Sequence, residues 1–166
     1  MVVVLPRVLV VVAGCLFASI AAAQPRPKVE VFMPTPCLAC IEWGVHLMDN
    51  GFAVTYRETS DMAALKRRLK VPAALESVHT AMVEGYFVEG HVPAEDIKVL
   101  LAERPPALGL AVPGLPRGAP GREITSQSCE SGCSILEGGA APEGRRDLYE
   151  TLLVSPNGKT STWARH

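Results

Sequence analysis

Four of the five cysteines in this chain of 166 residues fall in two close pairs, Cys37-Leu38-Ala39-Cys40 and Cys129-Glu130-Ser131-Gly132-Cys133. Two thiols three residues apart can cycle between dithiol and disulfide, clamp a soft ion such as Cu(I), or form an inert bridge. Position favours the first two. A β-like run, Val29-Glu30-Val31-Phe32-Met33, is broken by Pro34-Thr35-Pro36, and from Cys40 onward Ile41, Val45 and Met48, with Trp43 and Leu47 beside them, repeat at helical spacing. The pair therefore opens a helix, where the positive end of the dipole favours thiolate and can bring a thiol pKa to roughly 3.5–7.5. Cys37, just outside the helix, is expected to be the more exposed, attacking thiol, with Cys40 one turn in as its resolving partner. A bridge closing so small a loop adds little stability, which argues against an inert role. The second pair has two readings. Gly132 permits a tight local disulfide; alternatively Cys129 and Cys133 join Cys37 and Cys40 in a four-sulfur site, which would suit zinc as well as copper.

The elements that must hold the first pair follow from the pattern on either side. Asn50-Gly51 ends the first helix, residues 53–57 read as a second strand, and Ser60 caps a helix over 62–69 that Pro72 stops. Strands over 80–83 and 86–89 are joined by Glu84-Gly85 in a hairpin. Pro93 opens a further helix, with Glu95 and Asp96 in its first turn and Ile97, Leu100 and Leu101 as its apolar stripe. The order is β-α-β-α-β-β-α with a dithiol after the first strand, which is the thioredoxin-like arrangement. In such folds the segment before the hairpin packs on the dithiol. Here it is Ser77-Val78-His79, so His79 becomes a candidate metal ligand or proton shuttle. His91 is expected to be structural, His46 to form an exposed pair with Glu42, Trp43 to pack beside the dithiol, and Met33 and Met48 to lie in the core.

Residues 105–122 are rich in proline and glycine and are expected to lack regular structure. Residues 123–146 read as a mobile insertion holding the second cysteine pair, and strands at 149–154 and 160–164, turning at Asn157-Gly158, as a closing hairpin. There is no internal repeat.

The N-terminus joins a basic residue, Arg7, to the apolar run 8–20 and the small-residue exit Ala21-Ala22-Ala23. That is the pattern of a secretory signal over 1–23, followed by a tether at 24–28 and one domain over 29–166. Val12-Ala13-Gly14-Cys15 offers a minor alternative, lipidation at Cys15. Export would place the cysteines in an oxidising compartment, the bacterial periplasm, with no transmembrane span in the mature chain. The net charge of −1 contains no basic block, so nucleic acid is not an expected partner.

Several motifs in one order, Cys37-Leu38-Ala39-Cys40 with Trp43, Gly51-Phe52, Val71-Pro72, His79-Thr80-Ala81, Gly85-Tyr86, Glu89-Gly90-His91-Val92-Pro93, Gly109-Leu110-Ala111-Val112-Pro113-Gly114 and Ala164-Arg165-His166, resemble the exported thioredoxin-like copper-resistance family of the CopG type, largely catalogued as a domain of unknown function. The resemblance runs from about residue 29 to residue 166 outside the insertion. It implies a thioredoxin-like fold, an envelope location, and copper held or oxidised near the dithiol. This chain departs from the family's pattern at Ala39 and Val78, where cysteines usually stand, and at Leu115, Arg117 and Arg122, in a loop that usually carries methionines. One Cu(I) among Cys37, Cys40 and His79 is therefore expected rather than a multi-copper cluster, with envelope copper-handling or redox proteins as partners. The rival readings are a thiol-disulfide oxidoreductase using Cys37 and Cys40, and a structural or partner-binding module whose cysteines are oxidised.

Overall fold

The computed structural model of the protein describes residues 25–122 and 146–166. The expected signal over 1–23, Cys15 included, and the expected insertion over 123–146 with Cys129 and Cys133, all but its last residue, lie outside the described residues.

Strand β1 (Lys28–Met33) crosses through helix α1 (Leu38–Asp49) to the parallel strand β2 (Ala53–Glu58). Helix α2 (Met62–Leu69) and a single 3-10 turn (Ala73–Leu75) lead to β3 (Thr80–Val83), which pairs antiparallel with β1 and with β4 (Tyr86–Glu89). The β3–β4 turn uses Glu84 and Gly85, both at positive φ (44° and 93°), the backbone a two-residue hairpin of right-handed twist requires. Helix α3 (Ala94–Glu103) then crosses to β5 (Gly109–Ala111), parallel to β4, and β6 (Glu150–Val154) and β7 (Thr160–Arg165) extend the sheet antiparallel. The result is a mixed α/β fold around one seven-stranded sheet in the order β2-β1-β3-β4-β5-β6-β7.

Period-two alternation sends neighbouring side chains to opposite faces. Val88 and Leu110 join Trp43, Leu47, Ile97 and Leu100 in the main core. Phe87 and Ala111 join Val71, Leu75 and Val154 on the other face, where the chain after α2 covers them. The expected β-α-β-α-β-β-α order is present, and the closing hairpin continues the same sheet.

Four local expectations are corrected. The cap of α2 is Asp61, whose carboxylate accepts from the Ala64 amide at 2.8 Å, not Ser60. Pro93 is the residue before α3, not its first residue. Regular structure does occur between 105 and 122, because β5 finds a parallel partner in β4. In α1 the buried face is Ala39, Cys40, Trp43, Gly44 and Leu47, whereas Ile41, Val45 and Met48 are about two-fifths exposed. Met33 is in the core as expected.

A dithiol above a buried histidine pair

Cys37 is the N-cap of α1, and its sulfur accepts a hydrogen bond from the Cys40 amide at 3.3 Å. The two cysteines are joined as a disulfide with Cα atoms 5.3 Å apart. Cys37 retains 9% exposure and Cys40 none, the order the sequence implies. Negative charge on Cys37 would be stabilised both by this amide and by the helix terminus. The pair forms a small cluster with Met33, against which Tyr56 and Val78 pack. The segment before β3 thus does meet the dithiol, through Val78.

His79, the next residue, turns into the core and has no exposed surface. Its ring lies 4.5 Å, centroid to centroid, from Trp43 and 4.8 Å from His91, the latter at 85°. Trp43 is oriented by its own indole N–H, which donates to the Val92 carbonyl at 2.8 Å. Neither nitrogen of His79 makes a well-formed hydrogen bond among the described residues, the Gly90 backbone lying close enough for only a weak one. Burial, then the neighbouring His91 and Lys66, hold its pKa well below the usual imidazole value, and the nearby Gly90 backbone opposes the shift only in part. His91 is equally buried; its Nδ1 lies 2.8 Å from the Pro120 carbonyl. A carbonyl only accepts, so Nδ1 carries the proton and Nε2 the lone pair, and Nε2 has no partner among the described residues. Burial lowers the His91 pKa to about 4, assisted by Arg122 and opposed by the Pro120 bond. Both rings are neutral at neutral pH.

In this disulfide form Cys37, Cys40 and His79 do not make one three-ligand cluster: among the described residues no group of three or more His, Cys, Asp or Glu lies close enough to share an ion. The expected exposed role of His46 is also corrected, since its Nε2 accepts from the Ala94 amide at 3.1 Å and so caps α3 from α1.

The sequence reading missed the device that sets this segment in place. Lys66 and Glu89 form a buried ion pair, with side chains 4% and 0% exposed. Glu89 accepts from the Ser77 amide and the Thr80 hydroxyl, each at 2.6 Å, while Lys66 donates to the Ser77 carbonyl at 3.0 Å. Gly90 N–H donates to the His79 carbonyl at 3.1 Å. Residues 77–80 are thereby tied on both sides of Val78 and His79. Burial raises the Glu89 pKa, opposed by Lys66, Thr80 and Ser77. The partners are 23 residues apart and leave no local pattern; the one sequence signal is a charged residue ending the apolar run Phe87-Val88-Glu89.

Two further features frame the dithiol. The 113–122 loop presses on the first turn of α1, so that a Cβ on Gly121 would lie 2.6 Å from Trp43 N and 3.0 Å from Ala39 O. An open groove of about 790 Å³, lined by Pro34, Thr35, Glu58, Met62, Ser77 and Val78, reaches the residue that packs on the disulfide.

Comparison with known proteins places these observations. A family model described as a protein of unknown function, DUF411, matches residues 75–122, the stretch holding His79, His91 and the loop that covers them. Comparison with curated proteins finds no match. Two solved structures are similar: "Copper resistance protein copG- Form 2" and "Form 1" each superpose with a TM-score of 0.71 at 37% identity over 86% of this chain, and over 99% and 98% of their own. The chain belongs to the family of the copper resistance protein CopG.

Proposed function

We propose that this is an exported, thioredoxin-like protein of copper resistance that holds one Cu(I) between Cys37 and Cys40 when the pair is reduced. The observation that carries the reading is the placement of two sulfurs at the start of α1, with the Cys37 sulfur already accepting a helix-terminal amide. Two thiolates are a sufficient soft donor set for Cu(I), whereas zinc would require more ligands, which Cys129 and Cys133 would have to supply. His79, directly after Val78, is the nitrogen donor that the sequence places next to the pair, although in the disulfide form it does not share a ligand group with the two sulfurs. The name of the similar structures supports copper as the metal. In this reading the protein contributes thiolate stabilisation at Cys37, burial that excludes water from Cys40, and the Lys66–Glu89 tie that fixes the segment facing both.

A second reading is supported by the disulfide itself and by the groove beside it. As a thiol-disulfide oxidoreductase, the Cys37 thiolate would attack a substrate disulfide and release one substrate thiolate. Cys40 would then attack the Cys37 sulfur and release the second. Two electrons pass to the substrate and the Cys37–Cys40 bond forms.

Protein recovered from the envelope should begin at Gln24 and, reduced and anaerobic, bind about one Cu(I) per chain against a competing chelator. Cys37→Ser or Cys40→Ser should each weaken that binding on the order of 100-fold or more. A cytoplasmic chain beginning at Met1 would sink the export reading. Affinity no greater than that of a short CxxC peptide would sink the copper reading; reduction of insulin at a rate set by Cys37 would then support the oxidoreductase.

A further inference from the structure

Six large apolar side chains are exposed among the described residues, and four of them, Leu38, Ile41, Val45 and Met48, lie on α1. Scattered singly, such residues are ordinary surface; contiguous ones mark a contact. Their spacing of three, four and three residues sets them within an arc of about 80° on the helix, the seam that one helix offers another in a heptad pairing. The opposite face of α1 already fills the core with Trp43 and Leu47. A helix apolar on both faces is ordinarily buried on both, so this one is short of a partner.

The borders of the seam limit what that partner is. On one side stands Tyr56, whose hydroxyl lies over Gly44 and donates to the Ile41 carbonyl. On the other, the residues following Ile41 and Met48 are Glu42 and Asp49, and α1 carries no lysine or arginine. Residues flanking a seam select the opposing helix by charge, and here they call for cations. A second copy does not supply them. An antiparallel self-pair would set Glu42 and Asp49 against the same two carboxylates, and a parallel one would set them against Tyr56. Area points the same way. Four side chains between 39% and 43% exposed present on the order of 300 Å², whereas a stable dimer needs about 800 Å² from each copy.

We propose that the outer face of α1 docks a short amphipathic helix of another protein in a transient complex. Its apolar stripe would meet Leu38, Ile41, Val45 and Met48, and lysine or arginine beside the stripe would meet Glu42 and Asp49. The seam begins at the residue after Cys37, the one sulfur of the pair with any exposure, so the docked helix ends beside the dithiol. The surface exists with the disulfide formed and does not rest on the function proposed for the cysteines.

The test uses the chain from Gln24 with its disulfide intact. The probe is a synthetic helical peptide of about two heptads, with leucine along its seam and lysine on its flanks. Fluorescence anisotropy should give micromolar binding, roughly tenfold weaker for the same peptide flanked by glutamate. Val45→Ser should weaken binding roughly tenfold, and Asp49→Lys should reduce the preference for lysine. Thermal unfolding checks that the variants fold, and wild type supplies a second readout: amide resonances shifted by the peptide should centre on residues 38–49. Shifts centred elsewhere, equal affinity for the two peptides, or affinity unchanged by Val45→Ser would overturn the proposal. Three other occupants would overturn it as well. A dimer in light scattering that Val45→Ser dissociates would make this face an interface between copies. Binding to phosphatidylglycerol vesicles, with none to the peptide, would make it a membrane surface. Protection of Met48 from hydroxyl-radical oxidation in the free monomer would mean that another part of this chain covers it.

Discussion

In the unfolded chain an imidazole titrates near 6.5, whereas His91, buried and bonded through Nδ1 to Pro120, titrates at about 4. The folded state therefore resists a proton that the unfolded state accepts. The stability from neutral burial is fully present above about pH 6.5 and is lost as pH falls toward 4, amounting for His91 alone to roughly 3 kcal/mol. His79, lowered for the same reason, acts with the same sign. Glu89 acts oppositely: its raised pKa means the folded state holds that proton more firmly, so its contribution declines as pH rises through its unfolded value. Comparing wild type with His91→Phe isolates one histidine, since Glu89 is common to both. Between pH 7.5 and pH 4.5 in urea, metal-free wild type should lose roughly 2–3 kcal/mol more than the variant; equal losses would mean that His91 is not held neutral by the fold. Local patterns at this scale were legible. The strand-proline-cysteine-helix run placed the dithiol, and sequence order placed Val78 and His79 beside it. What pairs with His79, and what ties its backbone, was not legible, because His91, Lys66 and Glu89 come together only through the sheet.

At the level of elements, α1 shows why hydrophobic spacing can select the wrong face. Leu38, Ile41, Val45 and Met48 make a regular stripe, yet the buried side is the one carrying Ala39, Cys40, Trp43, Gly44 and Leu47. A helix apolar nearly all round gives no unique moment, so tertiary contacts decide. Gly44 is the residue that decides here: a Cβ there would fall 2.1 Å from the Tyr56 hydroxyl, which itself donates to the Ile41 carbonyl. The same close approach recurs where the 113–122 loop meets the helix. Gly121 combines a positive φ of 76° with no room toward Trp43 N, whereas Gly114, at 70°, has nothing within 4 Å. Gly114→Ala should therefore cost only the backbone strain, about 1 kcal/mol. Gly121→Ala should add a packing penalty of about 1–3 kcal/mol and loosen the Pro120 hold on His91. Thermal unfolding measures the difference between the two variants, and equal destabilisation would show that the loop does not bear on α1. The strand β5 escaped the sequence reading for a related reason. Three residues bounded by prolines carry no strand signal of their own, and only the neighbouring β4 makes them one.

Across the whole molecule, the terminal hairpin was legible from Asn157-Gly158, but not its attachment, because residues 112–149 separate β6 from the strand it pairs with. The attachment is polar as well as hydrogen-bonded through the sheet. Asp96 on α3 accepts from the Thr151 hydroxyl of β6 at 2.5 Å and bonds the His166 ring at 2.9 Å, while the Trp163 indole of β7 donates to its carbonyl at 3.3 Å. Residues 55 and 70 positions apart thus lock the hairpin to the helix that packs on the core. Thr151 is fully buried and Asp96 nearly so, so removing one partner leaves the other short of a bond that water cannot replace. Thr151→Val should cost about 1–3 kcal/mol in denaturant unfolding, and Asp96→Ala, which removes the acceptor, a similar amount or more. Because both substitutions remove the same contact, the double variant should be less damaging than their sum by about 0.5–3 kcal/mol. Strict additivity would mean that the hydroxyl and the carboxylate stabilise the protein separately and not through the bond between them.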